Sequence, residues 1–253
     1  MPQELSCILE RLQAQPIERG SRTYWQGQWM GQSVVAVLSR VGKVAAATTA
    51  ACLIEHFGVD QVVFSGVAGS LDAQVHVGDV VVANALLQHD VDASPLFPKY
   101  EIALTGKSIF PTDVQLTQEL TGAVSQCLPE IQSKMQSEGL WQQLGSRARP
   151  IALHQGLILS GDQFISSASK SEELKRQLPS ALAVEMECAA VAQVCSDYGV
   201  PFAALRIISD RANDSAHLDF GQFIDTVAAP FGAHVIEAFV AQRGESQKGQ
   251  DRA

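Results

Sequence analysis

Asp210 closes the segment Val200-Pro-Phe-Ala-Ala-Leu-Arg-Ile-Ile-Ser-Asp210. Phe202 to Ile208 is apolar apart from Arg206, the pattern of a buried strand. Such a strand delivers Ser209 and Asp210 to its carboxyl end, the edge where α/β sheets bind ligands. A second apolar run, Ala183-Val-Glu185-Met186-Glu187, also ends in carboxylates. Two strand ends carrying acids predict one cleft with acid/base chemistry. Each acid has a structural alternative. Ser209 and Asp210 would also suit a helix N-cap, and Arg211 offers a simple ion pair. Glu187 would also suit the first turn of a helix, held by its dipole. A carboxylate wedged between an apolar strand and an apolar helix is costly unless partnered, which favours a functional role.

Two further segments follow apolar runs. Gly66-Val67-Ala68-Gly69 is small enough for its backbone N–H groups to approach a sugar or an anion closely. It matches neither a Walker A loop nor the dinucleotide fingerprint. Ser160-Gly-Asp-Gln-Phe164-Ile165 places an aromatic ring where it stacks on a planar ligand or fills core. His89-Asp90-Val-Asp92 has the spacing of metal ligands, but no second cluster supports it. A hydrogen-bonded loop is the expectation there, and no metal.

The elements that must position these groups follow from periodicity. Residues 4–15 read as a helix, with Leu5, Ile8, Leu9 and Leu12 on one face. Residues 23–28 and 33–38 read as strands joined by a turn at Met30-Gly31. Residues 43–56 read as an Ala-rich helix closed by Gly58. Residues 61–65 read as a strand, with 66–70 as the loop after it. A turn at 77–79 feeds a strand over 80–87. Residues 90–112 carry Pro95, Pro98, Pro111 and Gly106 without periodicity and read as irregular. Helix 113–137, a polar connection 138–150 and strand 151–160 follow. Helix 169–178, strand 182–185, helix 187–198 and a closing amphipathic helix 220–242 complete the pattern. The tail 243–253 is polar and expected to be disordered. Alternating strands and helices predict a single α/β domain over 1–242, a three-layer α/β/α sandwich around a twisted mixed sheet.

Composition narrows the function. With 253 residues, 46% apolar and 18% charged, the chain is long enough to bury one sizeable core. A net charge of −9 argues against nucleic acid and anionic membrane surfaces as partners. No uninterrupted apolar run reaches the roughly 18 residues of a membrane span. The N-terminus lacks a signal-peptide pattern. The five cysteines show no zinc spacing and suit reduced core positions in a cytoplasmic protein.

In order along the chain, Val41-Gly-Lys-Val-Ala-Ala-Ala47, Ser65-Gly-Val-Ala-Gly69, Val77-Gly-Asp-Val-Val-Val82, Ser160-Gly-Asp-Gln-Phe-Ile165, Val184-Glu-Met-Glu187, Arg206-Ile-Ile-Ser-Asp210 and His217-Leu-Asp-Phe220 form an ordered set. The set resembles the 5′-methylthioadenosine/S-adenosylhomocysteine nucleosidases of the purine nucleoside phosphorylase superfamily. The resemblance implies a single α/β/α domain, usually dimeric. It implies cofactor-free hydrolysis of the N-glycosidic bond of adenine thioribosides, a reaction of methionine salvage with water as nucleophile. By motif, Asp210 is implied as the acid that protonates purine N7, supported by Ser209. Glu187 is implied as the clamp on the ribose hydroxyls, with Met186 beneath the sugar. Phe164 would stack on adenine and the Ile165 backbone would read its polar edge. Phe220 would cover the 5′ substituent, with Phe97 of the 94–100 loop nearby, from the same chain or across a dimer interface. Glu4 matches the residue that activates water. Val41, Val67, Ala68, Gly69, Glu185 and Arg206 complete the implied substrate-binding set. Family members carry an apolar strand ahead of the Glu4 motif, which the chain is expected to lack.

The chemistry is coherent without the family. Protonating a leaving group and activating water require two carboxyls in opposite protonation states. A third carboxylate binds ribose and stabilises an oxocarbenium-like sugar. Val67 and Arg40 stand where relatives often have Ser and Gly. Val67 removes a hydroxyl that phosphorylases use for phosphate, and Arg40 adds a cation near the sugar side. Three readings stay open: a hydrolytic nucleosidase, a phosphorylase or a hydrolase of another 5′-modified purine nucleoside such as futalosine, and a nucleoside-binding protein without turnover.

Overall fold

The computed structural model describes residues 1–143, 149–213 and 220–250, with only the backbone path given for 142, 143, 220 and 245–250. Helix α1 (Pro2–Leu9) leads into a three-stranded antiparallel sheet of β1 (Gln13–Arg19), β2 (Arg22–Trp29) and β3 (Gln32–Val37). The sequence predicts helix through residue 15. Instead Gln13–Arg19 pairs antiparallel with β2, Pro16 opposite Trp25. Pro16 suits an edge strand because it has no N–H to offer a neighbour. Met30 (φ 51) and Gly31 (φ 83) make the left-handed turn that a tight hairpin requires.

The main sheet contains β4 (Val62–Ser70), β5 (Val80–Gln88), β6 (Ile109–Pro111), β7 (Leu153–Ser160), β8 (Ala181–Glu185) and β9 (Phe202–Asp210), ordered β6-β5-β7-β8-β4-β9. Strand β5 runs parallel to β7 and also pairs antiparallel with β9, so the sheet curls back on itself. Strand β4 runs parallel to β9 and touches β8 antiparallel only at Gly69 and Ser70. The expected loop at 66–70 is therefore strand, with an irregularity between Ala68 and Gly69.

Alternation along each strand divides the core. Val80 and Val82 join Leu116, Leu120, Phe239 and Val240 on one face, against α3 (Val114–Ser137) and α8 (Ala229–Gln250). Val81 and Ala83 join Ala46, Ala50, Ala189 and Val191 on the other, against α2 (Lys43–Phe57) and α6 (Cys188–Tyr198). This is the layering that residues buried on both sheet faces require. Helix α5 (Ala168–Gln177) covers a third cluster through Leu174.

The expected polar connection contains a short helix, α4 (Leu140–Gln143), that buries Trp141. The closing helix begins as α7 (Phe220–Phe223), passes through a π turn at Ile224–Ala228 and continues as α8 to Gln250, beyond the Gln242 end read from the sequence. Gly221–Gly244 is long and apolar enough to cross a membrane by length and composition, at a mean hydropathy of 1.4, but 61% of that window is buried in the molecule. It is a core helix.

Candidate active site

A cavity of about 320 Å³ opens at the carboxyl ends of β4, β8 and β9. It brings together Asp210, Ser209, Glu187, Met186, Glu185, Arg206, Phe164, Ile165, Val67, Ala68, Gly69, Val41 and Glu4. Phe97 is not among the lining residues of this chain. The side chain of Phe220 and the segment His217-Leu-Asp lie outside the described residues.

At the end of β9, Asp210 Oδ2 accepts from Ser209 Oγ at 2.8 Å and Oδ1 accepts from Ala212 N–H at 2.7 Å. Burial raises the Asp210 carboxyl above its ordinary value, opposed by the Ser209 and Ala212 hydrogen bonds. Gly69 permits this approach: a Cβ there would sit 2.8 Å from Asp210 Oδ1 and 3.0 Å from Ala212 Cβ.

Glu187 is the N-cap of α6. Its carboxyl is pushed up to about 7 by burial and then by the neighbouring Glu185 charge, while Gly42 N–H, donating to Oε1 at 2.8 Å, pulls the other way. The two acids expected to share a cleft do line one cavity, and both are shifted toward the protonated form.

Glu185 lines the cavity and is also held by groups from three elements around it. Its Oε2 accepts from Arg206 Nη2 at 2.8 Å and from Glu187 N–H at 3.1 Å. Its Oε1 accepts from Ser160 Oγ and from Cys188 N–H, the latter at 2.9 Å. Ser160 Oγ also receives Ala189 N–H at 2.7 Å. Glu185 and Ser160 thus satisfy the open N–H groups at the start of α6, as helix termini require. Arg206 is buried, paired with Glu185, with its guanidinium 4.3 Å from the centre of the Phe64 ring. Ser160 escapes a sequence reading because its partners lie on other elements.

Phe164 is half exposed at the cavity wall. Glu4, in the first turn of α1, pairs with the Met1 ammonium. Arg40 lines the cavity at a left-handed φ of 66, but its guanidinium donates to Ser21 Oγ at 3.0 Å and to the Ser21 carbonyl. Its charge is directed to the β1–β2 turn. Among the described residues no cluster of His, Cys, Asp or Glu forms a metal site. Asp90 and Asp92 instead accept hydrogen bonds from Lys43, Asp162 and Ser94.

The chain matches the phosphorylase superfamily over residues 1–241. It is 33% identical over 243 residues to the 5′-methylthioadenosine/S-adenosylhomocysteine nucleosidase of Staphylococcus aureus strain JH9, covering 96% of each chain. It belongs to that nucleosidase family. The solved nucleosidase of Neisseria meningitidis, in complex with methylthio-immucillin-A, superposes with a TM-score of 0.83 at 30% identity, covering 96% of both chains. The futalosine hydrolase of Helicobacter pylori strain 26695 superposes with a TM-score of 0.81 at 32% identity, covering 96% of this chain and 94% of the other.

Proposed function

We propose that this protein hydrolyses the N-glycosidic bond of 5′-methylthioadenosine and S-adenosylhomocysteine, releasing adenine and a 5-thioribose product. The observation that carries the reading is the Asp210 carboxyl, held toward its protonated form by burial in the cavity that also contains Glu187 and Phe164. Asp210 gives its proton to purine N7 as the C1′–N9 bond breaks and the bonding pair moves onto the base. Glu187, as the carboxylate, accepts hydrogen bonds from the ribose hydroxyls and stabilises positive charge at C1′. Water attacks C1′ and loses its proton to Glu4. Phe164 stacks on the base, the Ile165 backbone reads its edge, and Met186 packs under the sugar. Phe220 covers the 5′ substituent. Phe97 reaches that pocket from a second copy of the chain, which makes the working unit a homodimer. Val67 offers no hydroxyl to phosphate, which supports water as the nucleophile.

Futalosine is the second reading, favoured by the similarity to a futalosine hydrolase at 32% identity. Base release from methylthioadenosine, S-adenosylhomocysteine and futalosine, with and without phosphate, decides between them. Phosphate-independent release with kcat/KM highest on the thioethers is expected. Preferred cleavage of futalosine would move the specificity to the second reading, and an absolute phosphate requirement would overturn hydrolysis.

A further inference from the structure

The amino end of α2 is tied down by a set of contacts that runs from the cavity wall outward. Gly42, its N-cap at φ 95, donates its N–H to Glu187 Oε1 at 2.8 Å. One residue on, Lys43 N–H donates to Asp162 Oδ1 at 2.7 Å. Asp162 N–H donates to Asp90 Oδ2 at 2.8 Å. The Lys43 ammonium completes the ring at Asp90 Oδ1, 2.6 Å, and reaches Gln88 Oε1 at 3.0 Å. Gln88 Nε2 then donates to Gln193 Oε1 of α6 at 2.7 Å. Lys43, Gln88, Asp90 and Asp162 are not among the residues lining the cavity.

We propose that Asp162, braced by Asp90 and Lys43, is a positioning residue that fixes the amino end of α2 so that Gly42 N–H holds the Glu187 carboxylate toward the ribose hydroxyls. The inference rests on the reading of Glu187 as the ribose clamp. Two adjacent N–H groups at the positive end of one helix meet two carboxylates, one inside the cavity and one outside it. The fit is close: a Cβ on Gly42 would lie 3.1 Å from Asp162 Oδ1. Val41 is 63% and Val44 78% exposed, so the other ties of this turn are Arg22 Nη2 donating to the Ala45 carbonyl at 3.0 Å and the buried Ala46. Burial, and then Glu185 of β8, raise the affinity of Glu187 for a proton, while the Gly42 N–H and then Arg206 of β9 lower it. Cys188, next along α6, is buried and held as a thiol, its ionisation pushed well up mainly by that burial. If the end of α2 drifts, the Gly42 contribution is lost and Glu187 takes up a proton more readily.

The test reads Glu187 in the empty protein by carbon-detected NMR of the carboxyl, assigned with Glu187→Gln, alongside steady-state kinetics. Asp162→Ala is expected to raise the Glu187 midpoint by roughly half a pH unit or more. It is also expected to raise KM about tenfold, the loss of one charge-assisted hydrogen bond, with kcat within about threefold. Asp162→Asn, whose carboxamide oxygen still accepts Lys43 N–H, should return both toward the parent. Lys43→Met, which keeps the backbone donor, should shift both the same way by less, and serves if Asp162→Ala does not fold. An unmoved midpoint in a folded variant, or a fall in kcat without a midpoint shift, overturns the proposal. Failure of the parent to cleave any nucleoside would instead overturn the ribose reading, because the midpoint is read without substrate.

Discussion

In the proposed mechanism Asp210 carries the chemistry, and its surroundings define a sharp test. Two donors already fill part of its hydrogen-bonding capacity, yet burial still raises its affinity for a proton. Asp210→Asn keeps the shape and a hydrogen-bond donor but has no proton to transfer. The expected result is a loss of kcat of about 10²-fold or more, with KM changed only a few-fold. Adenine release within a few-fold of the parent rate would remove Asp210 from the mechanism. Glu187 adds a pH dependence of stability. Its carboxyl titrates at about 7 in the folded protein, against an ordinary value of 4.5. The folded state therefore holds this proton to higher pH than the unfolded chain. The stability it contributes is full below about 4.5 and is lost as pH rises through about 7. His89, lowered by burial, acts with the opposite sign, so the measured quantity is the difference between the parent and Glu187→Gln. Between pH 5 and 8 the parent Tm should fall relative to that variant; parallel curves would show that Glu187 is not shifted. Both acids were legible because each ends an apolar run. Glu185 also ends an apolar run, but its partners Ser160 and Arg206 come from β7 and β9, and no local pattern records them.

At the scale of elements, periodicity located β2, β3, α2, α3, α6 and β9 closely. Their apolar faces each point into one layer, so local pattern and burial agree. The misses have separate physical causes. Gln13–Arg19 is an edge strand whose exposed, charged face hides the alternation. Gly66–Ser70 looks like a loop because its residues are small. They are small because Arg206 and Asp210 press against the strand from its neighbour: a Cβ at Gly66 would meet Arg206 Nη1 at 2.9 Å and Cζ at 3.0 Å. That guanidinium has no easy retreat, being fixed by Glu185 and stacked over Phe64. Gly66→Ala is expected to destabilise the protein by about 1–3 kcal/mol, the cost of overpacking a filled core. Urea unfolding measures it, and a change under about 0.5 kcal/mol, the size of an ordinary surface substitution, would mean that Arg206 relaxes freely.

The whole molecule presents apolar groups that one chain leaves uncovered. Leu96 is 84% and Leu104 89% exposed on the 90–112 segment, and Val44 and Val41 are exposed at the amino end of α2. That segment lies against the α5 and α6 side of the sheet: Tyr100 donates to Gln177 Oε1 at 2.5 Å, and Lys107 Nζ to Ser196 Oγ at 3.0 Å. Sequence could flag the segment as too long for a mere connection but not say what it meets, because Gln177 and Ser196 lie far along the chain on α5 and α6. Large exposed apolar side chains of this kind are what a second copy of the chain would cover in the homodimer proposed above. Sedimentation equilibrium should therefore give twice the 27.1 kDa chain mass. Leu104→Glu, which places a charge on that surface, should shift the protein toward monomer. If Phe97 completes the partner's 5′ pocket, the monomer loses the thioether contact and keeps the base and ribose contacts. KM for methylthioadenosine should then rise several-fold more than KM for adenosine, in line with about 1–3 kcal/mol for a lost apolar contact. A parent protein that sediments as a monomer at micromolar concentration while retaining full preference for the thioether would show that one chain builds the 5′ pocket alone.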